Sequence, residues 1–182
     1  MDLTEKTIES RTVYDGRIIT VQRDAVLLPD GAESVREVVR SSGAAVILPV
    51  SEDDTVTLVR QYRYAAGEHL LEAPAGKLEP GEDPAAAAAR ELKEETGWTA
   101  GTVVPLGSVF ASPGHADERL HLFLALDVRR SEACPDAGEF VETVDMSLDE
   151  LVRQVISGSI IDAKTVCLAF LAREYLIKEG RR

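Results

Sequence analysis

The sequence predicts a mixed α/β layered fold preceded by a small antiparallel β unit. Strand-like runs of β-branched and apolar residues are interleaved with three helical segments along the 182 residues. The runs before residue 42 are separated by turn residues alone. A chain of this length corresponds to about one domain with a small extension. We therefore predict an N-terminal unit over residues 1–42 and a main domain over residues 43–182.

Two turns divide the N-terminal unit into strands. Asp15-Gly16 separates strand-like runs at 8–14 and 18–28, and Pro29-Asp30-Gly31 precedes a third run at 34–39. A small antiparallel unit has exposed strand edges, which are able to pair with a second copy. We expect this unit to take part in a homodimer.

The main domain begins with two strands and a sharply bounded helix. The strands are predicted at 43–50 and 55–62. Asp83 is a suitable N-cap, Pro84 fits the first helical position, and Gly97 ends the helix. Five alanines between these limits favour the helix and permit close packing against a sheet.

The rest of the chain continues the alternation of strands and helices. Two strands, at 103–110 and 120–128, flank a loop of polar and turn-forming residues. A capping box opens a helix over 148–156, and Asp162 caps a last helix with an apolar face.

The charge of the chain is concentrated in two segments. The formal net charge is −12. Residues 72–98 hold seven acids and three bases, and residues 131–150 hold seven acids and no base, so together they carry −11. An acidic excess argues against a general nucleic-acid binder, which needs a cationic surface. If the segments meet, a bound divalent cation would offset their repulsion; otherwise they are two solvated acidic stretches.

Cysteine content and hydropathy indicate the compartment. Cys134 and Cys167 are the two cysteines, and neither stands in a CxxC pair, so neither a zinc site nor a disulfide framework is indicated. No apolar run reaches the roughly 18 residues of a transmembrane helix. The N-terminus lacks the basic and apolar regions of a signal peptide. We expect a cytoplasmic protein without a membrane or nucleic-acid partner.

Three glutamates lie close together on the first predicted helix. Glu91 and Glu95 are four residues apart, so their carboxylates share one face, and Glu94 borders that face. Carboxylate oxygens one turn apart suit a hard cation such as Mg²⁺, which also binds phosphates. An ordinary solvated helix face is the alternative that this pattern alone leaves open.

The spacing around these glutamates is distinctive. Five residues separate Gly76 from Glu82, seven separate Glu82 from Arg90, and Gly97-Trp98 closes the pattern. The pattern G-x5-E-x7-R-E-U-x-E-E-x-G-U, with U a bulky apolar residue, resembles the signature of the Nudix hydrolases. Its one departure is Trp98, where an aliphatic residue is more usual. The resemblance implies an α/β/α sandwich with a mixed sheet and hydrolysis of a nucleoside diphosphate linked to another group.

The resemblance also implies a metal site. Glu91 and Glu95 would be direct ligands of Mg²⁺, for which Mn²⁺ would be a substitute. Glu94 would hold a metal or its water, and the carbonyl of Ala75 would be a further ligand. Arg90 would tether glutamates of the loop and the helix. Bound cations would reverse the sign of an acidic pocket that otherwise repels a diphosphate.

The flanking segments are similar to the ADP-ribose pyrophosphatase, or ADP-sugar diphosphatase, subgroup of this family. The segments at 58–63, 71–76 and 112–118 carry this similarity. Pro113 falls 16 residues after Gly97, a spacing that marks ADP-sugar hydrolases. The subgroup is typically a homodimer with an exchanged N-terminal sheet. The resemblance assigns substrate binding to Arg63, on the diphosphate, and to Arg36, Arg40, Glu72, Pro113 and Glu118. The three arginines also fit an ordinary role as surface cations.

The second acidic segment gains a role from the same resemblance. In this subgroup a loop after the signature supplies the catalytic glutamate. Glu139 and Glu142 are the two candidates here, and Glu139 is preferred because it is nearer the loop. Phe140 and Val141 suggest that a strand starts at this point. Several acids of the segment would then be merely solvated.

The resemblance implies Mg²⁺-dependent hydrolysis of ADP-ribose to AMP and ribose 5-phosphate. Two alternatives stay open. One is hydrolysis of another nucleoside diphosphate sugar, such as an ADP- or GDP-hexose. The other is a non-catalytic nucleotide-sugar binding module, which is disfavoured because such proteins commonly lose signature glutamates and none is lost here.

Overall fold

The computed structural model describes residues 2–131 and 140–181, and these contain three helices and twelve strands. The helices are α1 Pro84–Thr96, α2 Leu148–Ser157 and α3 Ala163–Lys178. The strands are β1 Lys6–Asp15, β2 Thr20–Leu27, β3 Glu33–Arg40, β4 Ala44–Pro49, β5 Thr55–Arg63, β6 Glu68–Glu72, β7 Ala75–Lys77, β8 Trp98–Thr99, β9 Thr102–Phe110, β10 Arg119–Leu126, β11 Arg129–Arg130 and β12 Glu142–Ser147.

The described residues form two compact units. Unit 1 comprises the described residues of 1–43 and 110–119, and unit 2 comprises those of 44–109 and 120–182. Among the described residues no helix combines the length and apolar content needed to cross a membrane.

Unit 1 is built on an antiparallel sheet in the order β1-β2-β3. The turn between β2 and β3 is closed by a hydrogen bond from the amide of Leu28 to the carbonyl of Ala32, with Gly31 at a φ of 87° that favours glycine. Val39 of β3 exchanges backbone hydrogen bonds with His115 and Asp117. The predicted N-terminal antiparallel unit is therefore confirmed. All ten residues of its first strand, β1, are exposed.

Unit 2 contains a mixed sheet in the order β7-β4-β10-β9. The two central strands, β4 and β10, run parallel, whereas β7 pairs antiparallel with β4. A second, antiparallel sheet has the order β12-β5-β6. The continuous apolar sequence of β4 agrees with this arrangement, because a central parallel strand is covered on both faces.

Alternating residues of β4 divide the core of unit 2 into two layers. Val46 and Leu48 pack in the larger apolar cluster with residues of α2 and α3. Ala45 and Ile47 point the other way and pack with residues of α1 such as Leu92. Each fully buried leucine contributes roughly 1.5–3 kcal/mol of hydrophobic stabilisation. The sheet therefore lies between α1 on one face and α2 with α3 on the other, and the predicted α/β/α sandwich is confirmed.

The structure contains elements that the sequence did not reveal. The short strand β7 has the sequence Ala-Gly-Lys, which has little strand propensity, and its pairing with β4 holds it extended. β6 was also not predicted. β12 starts at Glu142, so the suggestion of a strand from Phe140 was two residues too early. Pairing explains this difference, since the ladder with β5 begins at Glu142 opposite Arg60.

Candidate active site

Local sequence signals fix the helix α1 as predicted. The carboxylate of Asp83 accepts hydrogen bonds from the amides of Ala85 and Ala86, each at 3.0 Å. Pro84 occupies the first helical position, and Gly97 ends the helix with a φ of 70°. Glycine adopts this left-handed backbone conformation without steric cost. These limits determine which residues of α1 face β7.

Two glutamates of α1 are almost buried against the backbone of β7. Glu91 is 9% exposed and Glu95 is 6% exposed. The amide of Ala75 donates to Glu95 at 3.0 Å. A Cβ atom on Gly76 would overlap the carboxylate of Glu91. Burying a charge is costly unless it is paired, so the backbone of β7 and the side chains around it are needed to keep both carboxylates in place.

Arg90 joins the loop before α1 to the acidic side of the helix. Its Nη1 donates to Glu91 at 2.7 Å and to Glu94 at 3.0 Å, and its Nε donates to Glu82 at 3.1 Å. The hydrogen bond with Glu82, followed by those with Glu91 and Glu94, raises the pKa of Arg90 despite its partial burial. These contacts make Arg90 a link between the loop and the helix, which is the arrangement that the resemblance implies.

A second charged group lies at the ends of β5 and β6. Arg63 donates through Nε and Nη2 to the two oxygens of Glu72, at 2.7 and 2.6 Å. These hydrogen bonds raise the pKa of Arg63, against burial, and the charges of Glu72, Glu95 and Asp162 add to the effect. Glu72 stands three residues before Ala75, whose amide donates to Glu95, so this fork lies near the acidic face of α1.

Glu72 has a further partner that sequence reasoning missed. Lys164 of α3 donates to Oε2 of Glu72 at 2.5 Å and to Asp162 at 2.9 Å. Burial raises the pKa of the Glu72 carboxyl, but the hydrogen bonds from Arg63 and the charge and hydrogen bond of Lys164 outweigh burial, so the net pKa is lowered. No local sequence signal indicates this contact, because Lys164 and Glu72 are 92 residues apart in the chain.

The donor set on α1 and β7 fits a hard divalent cation. It offers the carboxylate oxygens of Glu91 and Glu95, which are of the type that Mg²⁺ prefers, and the backbone of Ala75 lies beside Glu95. A Cβ atom at position 76 would overlap the carboxylate of Glu91, so glycine at this position allows that carboxylate to lie against β7. Within residues 2–131 and 140–181, no group of three or more His, Cys, Asp or Glu side chains is already arranged to hold a metal ion. Arg90 instead holds the oxygens of Glu82, Glu91 and Glu94.

The two candidates for the catalytic glutamate differ in what the structure says about them. Glu139 lies outside the described residues. Glu142 opens β12 and pairs with Arg60 on β5 at 3.0 Å, with both side chains well exposed. Exposed ion pairs of this kind contribute about 0–1 kcal/mol, so Arg60 does not fix Glu142 in one position.

The remaining sequence-predicted substrate residues lie in unit 1. Arg36 is paired with Glu5 through two hydrogen bonds, at 2.9 and 2.5 Å. Arg40 donates to Gln22 at 2.7 Å and to Asp117 at 3.1 Å. Arg40 therefore ties the segment containing Asp117 to the sheet of unit 1, and its role in substrate binding stays a prediction.

Pro113 and Glu118 lie at the two ends of a compact turn in unit 1. The amides of His115 and Ala116 donate to the carbonyl of Ser112, which closes the turn around Pro113. Pro113 is exposed, and Glu118 accepts a long hydrogen bond of 3.4 Å from Ser41. The structure holds these residues in an ordered turn, and their contact with substrate stays a prediction.

Trp98, the departure from the usual signature, is more than a packing residue. Its indole Nε1 donates to Thr57 at 3.0 Å, and the guanidinium of Arg130 lies 4.1 Å from the ring centroid. Thr57 in turn donates to Asp145 at 2.6 Å. An aliphatic residue would lack this hydrogen bond, so Trp98 links the end of α1 to β5 and β12.

Comparison with known families agrees with this geometry. Residues 40–168 match the family described as NUDIX domain. The chain belongs to the Nudix family. Residues 5–39 match a second family, described as nucleoside diphosphate sugar hydrolase N-terminal domain. The family resemblance carried by the signature around Glu91 and Glu95 is therefore confirmed, and the chain is a Nudix hydrolase.

Individual Nudix relatives match over nearly the whole chain. A methanol dehydrogenase activator of Bacillus methanolicus is 40% identical over 94% of this chain and 92% of its own. An ADP-ribose pyrophosphatase of Bacillus subtilis is 40% identical over 90% of this chain and 89% of its own. A crystal structure of an ADP compounds hydrolase superposes with a TM-score of 0.87, at 26% identity and full coverage of both chains. The similarity to the ADP-ribose pyrophosphatase subgroup is confirmed.

Proposed function

We propose that the protein hydrolyses the diphosphate of ADP-ribose in a Mg²⁺-dependent reaction that yields AMP and ribose 5-phosphate. One observation carries the proposal. In unit 2, Glu91 and Glu95 of α1 lie against β7, and the backbone partner of Glu95 is only three residues beyond the end of β6, where Glu72 pairs with Arg63. The 40% identity to an ADP-ribose pyrophosphatase supports the choice of substrate.

Each group in this arrangement has a part in the proposed reaction. Glu91, Glu95 and the Ala75 carbonyl would hold Mg²⁺, which Mn²⁺ would replace, and Glu94 would hold a metal-bound water or a metal. When bound, the cation supplies charge neutralisation and a water of lowered pKa. Arg63 would bind the diphosphate through its guanidinium, which matches phosphate oxygens in geometry.

The general base would come from the segment after β11. Glu139 is the first choice and Glu142 the second, because the subgroup's catalytic glutamate lies in a loop and Glu142 already belongs to β12. Glu139→Gln should reduce kcat by a factor of about 100 or more, as expected for loss of general base catalysis, while metal binding is retained. If Glu139→Gln keeps near-full turnover and Glu142→Gln does not, the assignment moves to Glu142.

The proposal extends to the assembly of the protein. Residues 1–42 would form a dimerising unit and residues 43–182 the hydrolase domain. The exposed apolar side chains of unit 1, among them Ile8, Val13 and Tyr14, support a homodimer because they would be covered by a second copy. Light scattering after size exclusion should give a dimer at micromolar concentration, and a monomer would contradict this part of the proposal. The cysteine content supports a cytoplasmic location.

Substrate choice is tested by incubation with Mg²⁺ and a panel of nucleoside diphosphate sugars that includes ADP-ribose, ADP-hexoses and GDP-hexoses. An added phosphatase releases phosphate from the monoester products and gives the readout. We expect the highest kcat/KM with ADP-ribose. A preference for another sugar would retain the chemistry and change the substrate. Preference for a dinucleoside polyphosphate would contradict the sugar specificity, and no hydrolysis at all would leave a binding module.

A further inference from the structure

Lys164 is a largely buried cation that the signature does not include. It lies in the first turn of α3, and its side chain is 12% exposed. Its Nζ contacts one carboxylate oxygen of Glu72 and one of Asp162. Glu72 is 1% exposed and stands 92 residues earlier in the chain, at the end of β6. Lys164 therefore connects α3 to the strand end from which the chain continues into β7.

Hydrogen bonds fix the first turn of α3, which carries Lys164. Asp162 caps the helix by accepting from the amide of Thr165 at 3.0 Å and from its hydroxyl at 2.6 Å. The same hydroxyl accepts from the amide of Ala73 at 2.7 Å, and Thr165 is fully buried. Because Ala73 follows Glu72 directly, the backbone and the side chain at this strand end are both fastened to α3.

Glu72, which is held in this way, in turn fixes the orientation of the Arg63 side chain. The two oxygens of Glu72 accept from Nε and Nη2 of Arg63, which fixes the plane of the guanidinium. This contact uses one edge of the guanidinium and leaves Nη1 on the other. The side chain of Arg63 is 42% exposed, so it is open to an approaching anion.

The charge of this group explains why a second cation is needed. A buried carboxylate is costly unless it is paired and hydrogen-bonded. Arg63 alone would compensate Glu72 in the free protein. When the guanidinium also binds an anion, its charge is shared between two acceptors, and Lys164 then keeps Glu72 compensated. Without Lys164, Glu72 and the incoming anion would compete for the same guanidinium.

We propose that Lys164 is a positioning residue for the diphosphate of the substrate, acting through Glu72 on the orientation and availability of Arg63. The inference rests on the proposed function, in which Arg63 binds the diphosphate. It adds a residue of α3, outside the Nudix signature, to the determinants of substrate affinity.

The test compares Lys164→Met with wild type and with Lys164→Arg, using ADP-ribose and Mg²⁺ and measuring kcat and KM separately. We expect Lys164→Met to raise KM about tenfold or more, with a smaller change in kcat, because misplacement of a binding group has effects of this size. Lys164→Arg should return KM to within about threefold of wild type, since Arg keeps the charge and the donors. Lys178→Met, an exposed position on the same helix, is the matched control and should leave both constants unchanged.

A double-mutant cycle with Arg63→Ala separates positioning from a merely structural role. If Lys164 acts through Arg63, Lys164→Met should change KM by less than about twofold in the Arg63→Ala background, where there is no guanidinium to position. A structural role would lower the melting temperature and the active fraction without this dependence. An unchanged KM for Lys164→Met, or an equal increase in both backgrounds, would overturn the proposal.

Two further measurements keep the test decisive. If Lys164→Met fails to fold, Lys164→Gln replaces it, and equal KM values for the Gln and Arg variants would count against the proposal. If wild type hydrolyses no nucleoside diphosphate sugar, the proposed function fails by itself. Lys164 is then tested by calorimetric titration with inorganic pyrophosphate in the presence of Mg²⁺. We expect about tenfold weaker binding to the Lys164 variant than to wild type, and equal affinities would overturn the inference.

Discussion

At the residue scale, the most demanding contacts are those between the carboxylates of α1 and the backbone of β7. Glu91 lies where any side chain at position 76 would need to be, and Glu95 accepts from the amide of Ala75. Buried carboxylates in such tight contact do not serve packing, which apolar residues would do at lower cost. Their position is explained by the cation that we propose they bind.

Replacement of Gly76 tests this close approach. In Gly76→Ala, the added methyl group overlaps the carboxylate of Glu91. We expect a loss of about 1–3 kcal/mol in the free energy of unfolding, which is typical of overpacking, together with a lower kcat. Gly114→Ala is the matched control, because nothing lies within 4 Å of the added Cβ and φ is not in the left-handed range. Urea unfolding and activity assays measure both variants. Equal stability and equal kcat of Gly76→Ala and Gly114→Ala would contradict the expectation.

Removal of one carboxylate charge tests the ligand role. Glu95→Gln keeps the shape of the side chain and its ability to accept from Ala75, but it removes the charge. Since loss of an outer partner of a metal already costs about 10–100-fold, we expect a loss of at least about 100-fold in kcat/KM. Glu174→Gln on the exposed side of α3 is the control. Titration with Mg²⁺ should show that Glu95→Gln needs a higher Mg²⁺ concentration than wild type for half-maximal activity. An unchanged Mg²⁺ requirement would exclude Glu95 as a ligand.

At the scale of elements, α1 depends on its N-cap. Asp83→Ala removes the acceptor of two amide hydrogen bonds and should lower the free energy of unfolding by about 1 kcal/mol. Asp83→Asn should retain most of this stability, since asparagine caps helices almost as well. Thermal unfolding measures both. Equal destabilisation by the two substitutions would show that charge, and not capping, is what Asp83 contributes.

The ion group that joins β6 to α3 predicts how stability depends on pH. The pKa of Glu72 in the folded protein is below its unfolded value, because the partners Arg63 and Lys164 outweigh burial. A lowered folded pKa means that the stabilisation is fully present above the unfolded value of about 4.3 and is lost as pH falls through the folded pKa. The difference in unfolding free energy between wild type and Glu72→Gln should therefore shrink as pH drops below about 4. A constant difference from pH 7 to pH 3 would contradict this.

How far the sequence predicts an element depends on how local its causes are. The limits of α1 were predictable because Asp83, Pro84 and Gly97 act within one turn of the helix. β7 was not, since its three residues are extended only by pairing with β4. The contact between Lys164 and Glu72 spans 92 residues and follows from packing of α3 on the core, so no local pattern predicts it.

At the scale of the whole molecule, the net charge of −12 is divided between acids with different tasks. In the first acidic segment, Glu72, Glu91 and Glu95 are buried. In the described part of the second, Asp145 accepts from Thr57, and Glu150 pairs with Arg153 at the start of α2. The spacing of the signature identified Glu91 and Glu95 of the first segment, whereas the second segment shows why charge counts alone do not define a site.

Within the part of the chain that the structure describes, a neutral side chain links the two acidic segments, and their acids form no metal site. Thr57 of β5 bridges them by accepting from the indole of Trp98 and donating to Asp145. On the face of α1, the carboxylate oxygens are held by Arg90 and the backbone of β7, and the need for a cation between the two segments stays a prediction.

The central claim is that the acidic face of α1 supports metal-dependent cleavage of the diphosphate of ADP-ribose. Product analysis by ³¹P NMR, with and without Mg²⁺, tests it most directly. We expect wild type with Mg²⁺ to form AMP and ribose 5-phosphate in equal amounts, and neither Glu95→Gln nor wild type with a chelator to do so at a comparable rate. Rapid formation of both products in the presence of a chelator, or no products with Mg²⁺, would contradict the claim.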